Sequence, residues 1–181
     1  MAKNYVKGEG VLDATTRRIM NDNIRDISRC STQFLADSGG TGTTLTNVTG
    51  LTSGVLQPGI YDVDINLIVT GTTNSGVKAA LKWGTASMIT NTALSVEGKS
   101  ASAIAATTFT TSTDASAFIG ATSAYVNVRV RGTITVALAG TITLQAAQNA
   151  SHADDTTVEV GSTMGFTPIG ATTPLSSAAD I

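Results

Sequence analysis

Few residues of this chain could do covalent or metal chemistry, and they lie in short runs. Ser151, His152 and Asp154 supply the residue types of a nucleophilic triad. A triad assembles in space from separate segments, whereas these three share one turn, and no GxSxG elbow exposes a serine. They read as a polar turn. Gly98-Lys99-Ser100 matches the end of a phosphate-binding GxxxxGK[ST] loop. The first glycine of that pattern would fall on Ala93, and no helix pattern follows. Asp154 and Asp155 could offer carboxylates to calcium, but two adjacent acids fall short of the roughly six to eight oxygens calcium takes. His152 is the single histidine and Cys30 the single cysteine, and they lie far apart in sequence. Neither a zinc site nor a Cys–His nucleophile follows from that pair. One cysteine also allows no intrachain disulfide, which fits assembly in a reducing compartment. Asn47-Val48-Thr49 and Asn149-Ala150-Ser151 match the glycosylation sequon. With no secretory signal visible at the N-terminus, both read as turns. The expectation is a non-enzyme with no catalytic residue, no cofactor and no metal.

Composition points the same way. Of the 181 residues, 41% are apolar, enough for a core, while 13% are charged, about half the usual share. Gly, Ala, Ser and Thr fill the gap, and such small or β-branched side chains suit sheets packed closely together. The net charge of −2 gives no basic stripe for nucleic acid. No apolar run reaches the length of a membrane span. The charge is uneven, however. Lys3, Lys7, Arg17, Arg18, Arg25 and Arg29 place six of the eleven basic residues in positions 1–30, against the acids Glu9, Asp13, Asp22 and Asp26. A basic arm on an acidic body is a candidate contact for an acidic surface.

The elements that would position these groups are mostly strands. From 123 to 138, Ala124, Val126, Val128, Val130, Ile134, Val136 and Leu138 fall on one face, and Tyr125, Asn127, Arg129 and Arg131 on the other. Gly140 closes that strand. Ile142, Leu144 and Ala146 mark the next, and Val158, Val160, Met164 and Phe166 a last one. Three strands in series, joined by Gly and Asn/Asp turns, predict an antiparallel sheet. Upstream, Gln57-Pro58-Gly59 is a tight turn. Tyr61, Val63, Ile65, Leu67 and Val69 then face inward against Asp62, Asp64 and Asn66. Val77, Ala79, Leu81 and Trp83 form another apolar face, with Trp83 in the core. Weaker strands are expected over 85–98 and 102–113. Asp13 caps a predicted helix over 14–29, where Met20, Ile24 and Ile27 form one stripe. That helix is too short to stand alone in water, so the stripe needs a partner surface. The layout is an arm with its helix over 1–34, an all-β domain of about eight to ten strands over 35–170, and a tail over 171–181.

Two segments carry a resemblance. GEGVLDATTRRIMNDNIRD resembles the GxVLTA…N…DN opening of many tailed-phage virion proteins, in which a small arm and helix precede a β domain. GTITLQAAQNASHADDTTVEVGSTM resembles their closing hairpin, and Thr43–Leu51 with Leu56–Tyr61 is similar to their opening strands. The chain departs from that pattern at Ala146-Ala147, where a bulkier aromatic is common. The resemblance implies a jelly-roll β-sandwich of the tumour-necrosis-factor and C1q type, usually trimeric, with a structural role. It implies a capsid decoration (cement) protein: a homotrimer made in the host cytoplasm that binds the major capsid protein on the outer surface of the virion and stabilises the head. The alternative is a tail, fibre or baseplate protein that binds a receptor or glycan. Candidate contact residues are Arg17, Arg18, Met20, Ile24, Arg25 and Ile27 in the arm, and Tyr125, Asn127, Arg129 and Arg131 on the polar face of the longest strand.

Overall fold

The computed structural model describes residues 26–35, 42–71, 76–85, 87–99, 104–108, 115–118 and 126–170. Their strands are β1 (Asp26–Arg29), β2 (Phe34–Leu35), β3 (Thr46–Thr52), β4 (Gly59–Thr70), β5 (Val77–Trp83), β6 (Ile89–Lys99), β7 (Ile104–Thr108), β8 (Ala115–Phe118), β9 (Val126–Val136), β10 (Ile142–Gln148), β11 (Thr157–Val158) and β12 (Thr163–Gly170). A large sheet runs β1-β12-β4-β9-β6-β7, with β11 and β2 attached at one end of β4. A small sheet runs β3-β10-β5-β8.

The order has a simple origin. Setting aside the short β2 and β11 and the β6–β7 hairpin, eight strands remain. Counted along the chain, the first pairs with the eighth (β1 with β12) and the second with the seventh (β3 with β10). The third pairs with the sixth (β4 with β9) and the fourth with the fifth (β5 with β8). This is one long folded ribbon whose successive pairs alternate between two facing sheets, which is a jelly roll. The large sheet's main run ends at β1 and β7, and the small sheet ends at β3 and β8.

Alternation along each strand builds the core. In β4, Tyr61, Val63, Ile65, Leu67 and Val69 are buried, and in β9 Val128, Val130, Ile134 and Val136 are buried. From the small sheet, Val48, Leu51, Val77, Ala79, Leu81, Trp83, Ile142, Leu144 and Ala146 close the same cluster. Each large aliphatic or aromatic side chain removed from water contributes about 1.5–3 kcal/mol. Ala146 therefore faces the core. The turn over Gln57–Gly59 is capped from within: the Tyr61 hydroxyl donates to the Gln57 carbonyl at 2.9 Å and accepts from the Gln57 N–H at 3.0 Å.

The described strands differ from the expected ones at three places. Residues 26–29 end the predicted helix but form strand β1, paired with Thr163–Phe166. Local spacing is overridden by tertiary bonds. The Asp26 carboxylate accepts from the Gly54 N–H at 2.6 Å, and the Ser28 hydroxyl donates to the Thr52 carbonyl. At Gly50 the backbone takes φ +83°, and a Cβ there would lie 2.5 Å from the Arg29 carbonyl oxygen. Residues 26–35 thus belong to the body, and the expected arm boundary at residue 34 falls inside paired chain. The rest of the predicted helix, 14–25, lies outside the described residues. Secondly, β9 and β10 do not pair. They lie in opposite sheets, and the crossing between them is held by the Leu56–Gly140 bridge. Thirdly, the last predicted strand is two, β11 and β12. Val160 sits in the turn between them and is 56% exposed, as Leu138 is 51% exposed beyond the end of β9.

Candidate functional site

The residues singled out for chemistry take structural places. Gly98 and Lys99 lie in β6, opposite Ala105 and Ile104, so they form ladder and not a phosphate loop. Asn47 lies in β3, where its side-chain carbonyl accepts from Gln145 Nε2 at 2.9 Å, so this sequon is strand and not turn. The 149–155 turn is organised by Gln148, which is fully buried. Its Nε2 donates to the carbonyls of His152 (3.1 Å) and Asp154 (2.6 Å), and its Oε1 accepts from the His152 N–H at 3.4 Å. His152 Nδ1 lies 3.0 Å from the Asp154 carboxylate within the same turn. Removing a buried amide that satisfies three backbone groups should cost about 1–3 kcal/mol. Gln148→Leu is expected to lower the melting temperature by several degrees and to speed amide exchange over 149–155, both read by hydrogen-exchange mass spectrometry with a thermal melt. Unchanged exchange would remove this role.

Cys30 is buried between Ser162 and Gly161, whose backbones bond its own at 2.9 and 3.1 Å. Burial pushes its thiol above the ordinary value, which keeps it protonated. Glu159 joins three segments: Gln33 Nε2 bonds both carboxylate oxygens at 2.9 Å, and Thr70 and Thr157 donate to one of them at 2.9 and 2.5 Å. Burial pushes the Glu159 carboxyl up, but the bonds from Thr157, Gln33 and Thr70 together hold it below the ordinary 4.5. A depressed carboxylate stabilises the fold above its unfolded-state value and loses that contribution as pH falls through the folded one. Glu159→Gln should therefore be less stable at pH 7 by about 1 kcal/mol, allowing for solvent screening. The gap to wild type should close below pH 4.5, as chemical denaturation at several pH values would measure.

The outer face of the large sheet is different. Ile27 and Arg29 of β1, Asp64 and Asn66 of β4, Asn127 and Arg129 of β9 and Thr163 of β12 line one open depression of about 520 Å³. Register explains the gathering: Asn66 lies opposite Arg129 on one side and Thr163 on the other, and Asp64 opposite Arg131. Asp64 Oδ1 is 3.3 Å from Arg129 Nε and 3.7 Å from Arg131 Nε, so one carboxylate serves two guanidiniums. Arg29 is exposed and has no ion-pair partner among the described residues. Arg-rich polar faces of this kind bind carboxylates or planar anions in bidentate fashion.

Of the contact residues named from sequence, Ile27, Asn127 and Arg129 line the depression, and Arg131 reaches it only through Asp64; Ile27 is 43% exposed. Arg17, Arg18, Met20, Ile24, Arg25 and Tyr125 lie outside the described residues. Sequence reasoning missed Arg29, Asp64, Asn66 and Thr163 as site residues. The outward parity of Asp64 and Asn66 was a usable signal; the register that sets them beside Arg129 was not.

No family model matches the chain, and no curated protein matches it. Among solved structures, a TNF-family Eiger protein from S. frugiperda aligns with a TM-score of 0.44 at 9% identity, covering 87% of this chain and 98% of that one. Murine APRIL aligns with a TM-score of 0.38 at 12% identity, covering 81% and 100%. Likenesses this distant carry no argument, so the jelly roll stands on the strand pairing alone. Among the described residues, no three His, Cys, Asp or Glu side chains gather as a metal site, and no helix is long and apolar enough to cross a membrane.

Proposed function

We propose that this chain is a non-enzymatic structural protein of a tailed-phage particle, a homotrimer that decorates the outer capsid and ties neighbouring capsid subunits. The sequence resemblance at both chain ends supports the origin, and the jelly-roll pairing fits that resemblance. The observation that carries the reading is the shared groove. Ile27 and Arg29, which follow in sequence on the basic segment 1–25, line the same groove as Asn127 and Arg129, with β12 and β4 between them. The basic segment 1–25 is thus joined in sequence to the strand that lines this groove, and we read the two as one attachment surface. Among the described residues, the aromatic side chains of Tyr61, Trp83 and Phe166 are buried, so these three give the glycan-binding alternative no stacking platform.

The experiment has two readings. Light scattering at micromolar concentration should give three times the 18.4 kDa chain mass. Sedimentation with purified heads stripped of this protein should carry it down saturably. A monomer mass overturns the trimer, and protein left in the supernatant overturns the shell-binding role.

A further inference from the structure

We infer that the groove between β1 and β9 is a carboxylate-binding site whose occupant is an acidic segment of the shell protein. The inference rests on the decoration reading and names the chemistry of that contact. Donors dominate the groove: two guanidiniums (Arg29, Arg129), two amides (Asn66, Asn127) and the Thr163 hydroxyl, against the single carboxylate of Asp64. Arg29 has no ion-pair partner among the described residues, and Arg129 shares Asp64 with Arg131. Two other acids of this face are not among the residues lining the groove. Asp62 is two residues along β4, and Glu97 lies opposite Arg129 on β6. An incoming Asp or Glu can thus meet the Arg29 guanidinium without displacing an ion pair of the described residues, and compete with Asp64 for Arg129. Ile27 offers the apolar wall for the stem of that side chain. The described residues that line the groove include no aromatic, which suits an extended peptide better than a sugar ring.

The test uses a blocked hexaglutamate peptide as probe, with hexaglutamine as control, followed by amide chemical shifts of the full chain. Hexaglutamate at millimolar concentration should shift residues of β1, β9 and the centre of β4, and hexaglutamine should not. Arg29→Glu with Arg129→Glu should weaken the peptide at least about tenfold, and raising salt to about 0.5 M should do the same. Asp64→Asn should tighten it about twofold to threefold by removing the competing carboxylate. Shifts elsewhere, or none, overturn the site. On stripped heads, the double reversal should lose binding while wild type binds. Equal binding by both overturns this inference and leaves the decoration reading standing; absence of wild-type binding overturns the decoration reading, and the peptide titration still decides the groove. If the double reversal instead lowers the oligomer mass and hexaglutamate is without effect, the occupant is a second copy and the inference fails.

Discussion

Replacing Gly132 by valine should leave no folded protein. Gly132 sits in mid-β9, opposite Val63 of β4 and Leu94 of β6, at the centre of the large sheet. Its φ is +141°, a region that side chains rarely enter. A Cβ there would lie 1.9 Å from the Ala93 carbonyl oxygen, 2.9 Å from its carbon and 3.0 Å from the Leu94 Cα. All three are backbone atoms of the neighbouring strand, so no rotamer change relieves the clash. The sheet must open where it is most tightly paired, and the cost should exceed about 4 kcal/mol. A domain of this size holds about 5–15 kcal/mol in total. Valine adds branching to that clash, and alanine should already be severely destabilising. Soluble expression and a circular-dichroism melt decide the matter. A valine variant melting within about 5 °C of wild type would contradict the described backbone.

Deleting residues 1–25 should abolish shell binding while leaving a trimer of unchanged stability. That segment carries Lys3, Lys7, Arg17, Arg18 and Arg25 against Glu9, Asp13 and Asp22, whereas the chain as a whole is acidic. On the proposed trimer, three such arms would gain from avidity on a repeating surface, so removing all three multiplies the expected loss. The cut must stop before Asp26. Deletion to residue 30 would also remove β1 and break the Asp26–Gly54, Ser28–Thr52 and Cys30–Ser162 bonds, exposing the edge of β12. The longer deletion should therefore fall in melting temperature by several degrees or more, and the shorter one should not. Wild-type shell occupancy by the shorter form would remove the arm as anchor.

Strand faces were legible in the sequence because alternation is local. Val63 to Val69 and Val128 to Val136 announce which side is buried without reference to any neighbour. Partners were not legible. The same alternation in β9 and β10 suits one sheet or two, and only the chain crossing near Gly140 sends them apart. The helix reading reached too far for a related reason. Ile24 and Ile27 keep helical spacing, yet Asp26 and Ser28 alternate with Ile27 and Arg29 just as well. The bonds that decide between the two come from Thr52 and Gly54, more than twenty residues away. The candidate site was half legible. The outward parity of Asn127, Arg129 and Arg131 was in the sequence, but Arg29 joins them only because β1 lies beside β12 and β12 beside β4.

The most direct test is a cryo-electron microscopy map of intact particles beside particles stripped of this protein and then rebuilt with it. The account predicts threefold density over the head, present in native and rebuilt particles and absent from stripped ones. Each lobe should hold a jelly roll whose β1–β9 groove faces the capsid protein. Rebuilt heads without added density, or density confined to the tail, would contradict it.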